Sequence, residues 1–275
     1  MRTNGFFVAL FVFSVSGLTA AEYFASPAGS AEWSRSVNIE TPCSLETASA
    51  NARAGDTVYL RGGVYGEFIA PANSGKSENE RITFAAYRDE RVEIGGTRYA
   101  IHLDGRSYIT VRGIEFRNCR QFLIIRNGSH NDIGRCVFEK NQQETTWMGS
   151  WVHESSTFNR IHDCVFSRFG WVSNGDDKGA ILDIGYDVST TDASDDNMVE
   201  NNIFFCGGHH ILQVCGKNNV VRGNYFHNEA WMKGPREGGC GNRNAMIMGP
   251  MAGQNLFENN RFAFAGIPPD DNGAD

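Results

Sequence analysis

NDIGRCVF from Asn131 and NRIHDCVF from Asn159 belong to a series that decides the fold. The series also contains ITVRGIEF from Ile109, NMVENNIF from Asn197, NVVRGNYF from Asn219 and NLFENNRF from Asn255. Each runs from an asparagine or its counterpart to a phenylalanine: Phe116, Phe138, Phe166, Phe204, Phe226 and Phe262. The shortest spacing, about 22 residues, recurs with longer ones between, as in a solenoid of β coils whose corner loops grow while each coil still closes. A leucine-rich repeat would carry a leucine ladder and helical stretches, and a propeller would need longer units of four strands.

Within the repeats, Val111, Ile133, Ile161, Val199, Val221 and Phe257 share one position; Ile114, Cys136, Cys164, Asn202, Asn224 and Asn260 share another. Parallel stacking sets equivalent residues about 4.8 Å apart, so every position becomes a column. The phenylalanines are expected to stack inside, Cys136 and Cys164 to fill core before a disulfide between them is considered, and the asparagines to form amide ladders at the corners.

Working outward, Leu45–Arg53 has helical character suited to cover the open first coil. Short alternating runs follow at Thr57–Leu60, Ile82–Ala85, Val92–Ile94 and Ile101–Leu103, separated by Gly, Asn and charged turns. At the other end, Pro268–Asp275 offers nothing apolar to cover the last coil. The C-terminal end is therefore expected to be incompletely capped by Phe264, Ile267 and the loops, or the chain to be a shortened form of a longer protein.

The stretches EYFASPAGS from Glu22, AGDTVYLRGGVYGEF from Ala54, ITFAAYRDERVEIGG from Ile82 and YITVRGIEF from Tyr108 resemble the N-terminal part of secreted pectate-lyase-like proteins. The resemblance covers most of residues 22–275 and implies an all-β fold, a single-stranded right-handed parallel β-helix solenoid with an N-terminal cap. It further implies binding of an acidic polysaccharide along a groove on one β face, often with calcium (Ca2+). The same opening occurs in lyases, hydrolases, epimerases and proteins without known chemistry.

Arg2, the apolar run Phe6–Val15, and Thr19 and Ala21 before Glu22 read as a secretory signal peptide over residues 1–21. The expected destination is outside the cell or the periplasm, with no membrane span, since the apolar run is too short to cross a bilayer. The 25 Lys and Arg against 32 Asp and Glu give a net charge of -7. With no basic run, nucleic acid is not the expected partner; a local basic groove can still hold a uronate polymer such as pectate, alginate or a glycosaminoglycan. Seven cysteines in an exported chain permit disulfides and leave at least one outside any internal pair. A monomer is expected.

Each coil has a further strand before its asparagine: Leu123–Arg126, Trp151–Glu154, Ile181–Ile184, Ile211–Val214 and Ile247–Pro250. Aligned by a constant offset, Ile124, Val152, Leu182, Leu212 and Met248 face inward, while Ile125, His153, Asp183, Gln213 and Gly249 form an exposed outward column. Gly149, Gly179 and His209 form a second outward column, and His210 is expected to be partly buried. Insertions at Glu139–Gly149, Arg168–Gly179 and His227–Asn244 rise beside this face and bring Trp147, Asp176, Asp177, Lys178, Trp231, Lys233 and Arg236. The acidic loop with Asp187, Asp192, Asp195 and Asp196 lacks EF-hand spacing and reads as solvated.

The expected chemistry is β-elimination on a uronic-acid polysaccharide, with Lys178 or His153 as base and Arg236 on the substrate carboxylate. Asp176, Asp177 and Asp183 are the expected calcium ligands, and Trp147, His209, Gln213, Trp231 and Lys233 the expected saccharide contacts. A glycoside hydrolase would instead use Asp183 with Asp176 or Asp177 as paired carboxylates. A non-catalytic glycan-binding protein would keep the Trp147 and Trp231 wall alone.

Overall fold

A computed structural model describes residues 20–139, 149–167, 180–185, 194–205, 210–227, 244–249 and 252–263. Every coil contributes a strand to each of up to three parallel sheets, which have nine, eight and six strands among the described residues. The first sheet runs from Glu22–Ala25 and Thr57–Leu60 to Leu256–Glu258, and the second from Gly63–Tyr65 to Arg261–Ala263. The third contains Tyr99–Asp104, Gln121–Arg126, Ser150–His153, Ala180–Ile184, His210–Val214 and Asn244–Met248.

The core consists of the predicted columns. Val58, Phe84, Val111, Ile133, Ile161, Val199, Val221 and Phe257 are in register down the first sheet. On the second, Phe116, Phe138, Phe166, Phe204, Phe226 and Phe262 stack face to face with centroids 4.6 to 5.1 Å apart. Five of them are fully buried, whereas Phe262 on the last described rung is 48% exposed, so the expectation of six buried rings fails there. Phe264, Ile267 and residues 268–275 lie outside the described residues, as does the expected leader up to residue 19.

Corners are built from asparagine. Asn159 Nδ2 donates to Asn197 Oδ1 at 3.0 Å and Asn131 Nδ2 to Asn159 Oδ1 at 2.9 Å, while the same carbonyl oxygens accept the backbone N–H of the preceding rung. The residue before each corner adopts a left-handed backbone, at Tyr108, His130, Phe158, Asp196, Asn218 and Gln254. In the second ladder, Asn202 and Asn224 pair downward to Asn260, and Cys136 and Cys164 take the asparagine place in the earlier rungs. Both are buried free thiols that donate to backbone carbonyls, so the disulfide alternative is set aside.

Asn159→Ala is expected to destabilise by about 1 to 3 kcal/mol, because the buried Asn131 N–H and amide lose their acceptor. Urea unfolding of the variant checks this; a change within error would mean that the ladder is decorative.

The helix covers Leu45–Asn51, slightly shorter than expected, and starts where Ser44 Oγ accepts from Thr47 N at 3.0 Å. Leu45, Ala48 and Ala52 join the core beside the first strand. No helix among the described residues is long and apolar enough to cross a membrane.

One buried carboxylate ties three coils together on the outside of the first sheet. Arg160 Nε donates to Glu200 Oε1 at 2.6 Å and Arg222 Nε to Oε2 at 2.8 Å. Burial opposes ionisation of Glu200, but the hydrogen bonds from Arg222 and Arg160 outweigh it and hold the carboxyl below its ordinary range. A lowered folded-state pKa stabilises the native chain above the unfolded carboxylate range, and this contribution is lost as pH falls through the lowered value. Glu200→Gln should therefore lower the melting temperature at neutral pH, with the gap to the native protein closing in acid. A pH-independent gap would show that packing rather than charge is responsible.

Candidate active face

The outer face of the third sheet is set by its register. His102 pairs with Ile124, Ile124 with Trp151, Trp151 with Asp183, Asp183 with Gln213, and Gln213 with Ile247. Ile125, Val152, Ile184, Val214 and Met248 form an inward column, as do Leu123, Leu182 and Leu212 by register. The constant-offset alignment is thus corrected by one residue in the first of these coils, where Ile125 points inward and Ile124 outward, and by two in the next, where Trp151 stands in the place expected for His153. Ile247 likewise replaces Gly249, and Met248 follows Val214 rather than Leu212. Connections from this strand to the asparagine corner differ in length between coils, and a one-residue slip exchanges the two faces of a strand.

His153 is still on the outer side, one position along, in register with Arg126 and Asp104. A second correction concerns exposure: Asp183 is 0% and His153 5% exposed, so the expected open column is covered. Gln213 is half-buried and donates to Cys215 Sγ at 3.1 Å. Met248, expected inside, is 53% exposed on the last described rung.

Around these residues the face is aromatic and charged. The Trp151 and His153 rings stack at 5.2 Å and 7°, and those of Tyr99 and His102 at 4.5 Å and 17°. Arg126 bonds Asp104 at 2.5 Å and approaches Glu154 at 3.7 Å. Burial pushes the His102 imidazole below its ordinary value; Asp104 pulls the other way without overcoming it. Arg126 Nε and Trp151 Nε1 are buried donors with no acceptor among the described residues. Such donors are uncommon in native structures and suit a ligand rich in oxygen acceptors.

Trp151, Arg126 and His102 were missed by the sequence reading. The signal was present, since all three lie in or beside recognised strands, but it is readable only once the register is known. Gly149 is buried at the base of the Ser150–His153 strand. Trp147, Asp176, Asp177, Lys178, Gly179, His209, Trp231, Lys233 and Arg236 lie outside the described residues, as do Asp187 and Asp192. Asp195 Oδ1 accepts from Lys217 N at 2.6 Å, a turn role. Asp183 is a hard oxygen donor of the kind calcium takes. Among the described residues no group of three metal-ligating side chains is found, and no chemical step below is routed through a metal.

The fold is a right-handed parallel β-helix, the architecture also seen in several solved polysaccharide lyases. The chain belongs to the chondroitinase B family, whose profile matches residues 39–176. It is similar in structure to the pectate lyase Pel9A, with a TM-score of 0.63 at 16% identity over 89% of this chain and 62% of that one. An alginate lyase from Paenibacillus sp. str. FPU-7 gives 0.58 at 14% identity, covering 89% of this chain and 99% of that one. A rhamnogalacturonan lyase gives 0.53 at 12% identity, covering 92% and 64%. At these identities the likeness is one of fold, and the chain spans 62% of the length of the pectate lyase. No curated protein matches by sequence.

Proposed function

We propose that the protein is a polysaccharide lyase that cleaves a uronic-acid polymer by β-elimination on the outer face of the third sheet. The observation that carries this reading is the assembly of Arg126, Trp151, His153, Asp183 and Gln213 on neighbouring rungs, with two buried donors that have no acceptor among the described residues. Membership of the chondroitinase B family supports it and puts a chondroitin-type glycosaminoglycan first among substrates. Pectate and alginate follow from the names of the structural relatives.

In the proposed reaction a base removes the proton from C5 of the uronate, and that electron pair forms the C4–C5 double bond. The O4 bond breaks, and the departing oxygen takes up a proton. His153 or Lys178 is the base, and Arg236 holds the carboxylate so that charge developing on it is stabilised. Trp151, stacked on His153, offers an aromatic surface for a sugar ring. Asp183 with Asp176 and Asp177 is the proposed set for calcium, whose chemistry would be to neutralise the same carboxylate.

The test is a panel of chondroitin sulfate, dermatan sulfate, polygalacturonate and alginate, followed by the ultraviolet absorbance of the new conjugated double bond. A rise on at least one polymer is expected, and a parallel run with chelator tests calcium. New reducing ends without that absorbance would make the enzyme a hydrolase, and no product on any polymer would leave binding as the better reading.

A further inference from the structure

Away from the third sheet, a groove of about 500 Å3 runs along the flank where the first sheet turns into the second. Its floor follows a register column, Tyr59, Ala85 and Arg112, in which the small alanine separates the two large residues. Arg88, Arg112 and Arg135 line it and are exposed. Two of the acids that share the groove are paired with other residues: Glu90 with Arg61 at 2.9 Å and with Gly62 N at 2.6 Å, and Glu115 with Arg91, also of the groove, at 2.8 Å. Arg88, Arg112 and Arg135 form no salt bridge among the described residues; Asp89 and, through its longer-range attraction to Arg88, Glu90 offset them in part.

Three guanidinium groups without a salt bridge among the described residues, gathered in one groove, give a local positive field on a chain of net charge -7. The groove is also ordered. Arg88 lies 4.9 Å over the Tyr87 ring, and Tyr59 is packed against Tyr87 at 5.6 Å and Phe24 at 5.9 Å. Arg135 takes a left-handed backbone, φ 54°, at a corner where other coils place Gly113, Asn201, Gly223 and Asn259. Those residues suit that conformation better than arginine does.

We propose that this flank is a second binding site for an acidic saccharide, in which the three arginines grip carboxylate or sulfate groups and Tyr59 meets a sugar ring. Guanidinium forks match both anions in planar two-point hydrogen bonds. The site rests on the reading of an acidic polymer as substrate and extends it: a chain held at the flank stays near the catalytic face between cleavages.

The experiment compares native protein, Arg88→Ser/Arg112→Ser/Arg135→Ser and Trp151→Ala for binding to immobilised chondroitin sulfate and polygalacturonate chains over a salt series. Cleavage of a short unsaturated-end oligosaccharide is followed in parallel, with circular dichroism as the check on folding. The triple variant should bind the chains at least about 10-fold more weakly, with a shallower salt dependence, and cleave the short substrate at the native rate. A matching Arg→Lys triple variant should recover part of the binding, since charge returns without the fork. Native-like chain binding by the serine variant overturns the second site. If Trp151→Ala alone abolishes binding, the flank is excluded and the proposed function stands. Binding that depends on the arginines in a protein that cleaves nothing keeps the flank and removes the lyase. Failure of the native protein to bind either chain overturns both.

Discussion

Phe166→Ala is expected to destabilise the protein by about 3 to 5 kcal/mol. Phe166 is fully buried and stacks between Phe138 at 4.6 Å and Phe204 at 5.1 Å, so truncation removes a ring from both neighbours and opens a cavity inside a continuous column. In a solenoid, stability is close to a sum of rung and neighbour terms, and a defect in the middle breaks two of them. Phe262→Ala serves as the internal contrast: that ring has a described stacking partner on one side, Phe226 at 5.0 Å, and is half in solvent, so its loss should be clearly smaller. Urea unfolding of both variants decides the matter, and similar small shifts for the two would mean that the ring column does not hold the coils together.

The second large effect concerns chemistry. If His153 is the base, His153→Ala should reduce turnover by about 10^2- to 10^4-fold, the usual contribution of a positioned acid or base. Because His153 is buried against Trp151, thermal unfolding must accompany the kinetics, and His153→Gln keeps some of the packing while removing the base. Lys178→Ala distinguishes the rival: a collapse of kcat in that variant, with His153→Ala near native, transfers the role. Asp183 needs a revised expectation. With no exposure to solvent, Asp183→Ala should lower stability together with activity, whereas an outward exposed acid would have left stability nearly untouched. Leu182→Ala, truncated on the inner side, should cost about 2 to 5 kcal/mol with activity retained per folded molecule.

The parts of the molecule that were legible in advance share one property: they repeat at short range. Phe138, Phe166, Phe204 and Phe226, the asparagines from Asn131 to Asn255, and the Cys136 and Cys164 pair each lie within a single local unit whose internal spacing does not change. A parallel solenoid copies that unit into a column, so reading one rung reads them all. Even the strand limits Thr57–Leu60 were recovered, because alternation of apolar and polar residues needs no partner to be seen.

The candidate face was less legible because its strands are separated from the repeat by connections of unequal length. Sequence identified the strands but not the offset between them, and at a period of two an error of one residue exchanges inside for outside. A one-residue error is why Ile125 lies in the core, and a two-residue error, which keeps the face but moves the rung partner, is why Trp151 stands beside Asp183 where His153 was expected. The burial of Asp183 and the unpaired arginines beside Tyr59 were equally out of reach, since both depend on segments distant in sequence meeting at one surface. The amino-acid sequence by itself determined the solenoid, its stacked columns and its corners, all consequences of local periodicity. Tertiary structure alone decided register, coverage and charge pairing on the outer faces, because each depends on which rung lies beside which.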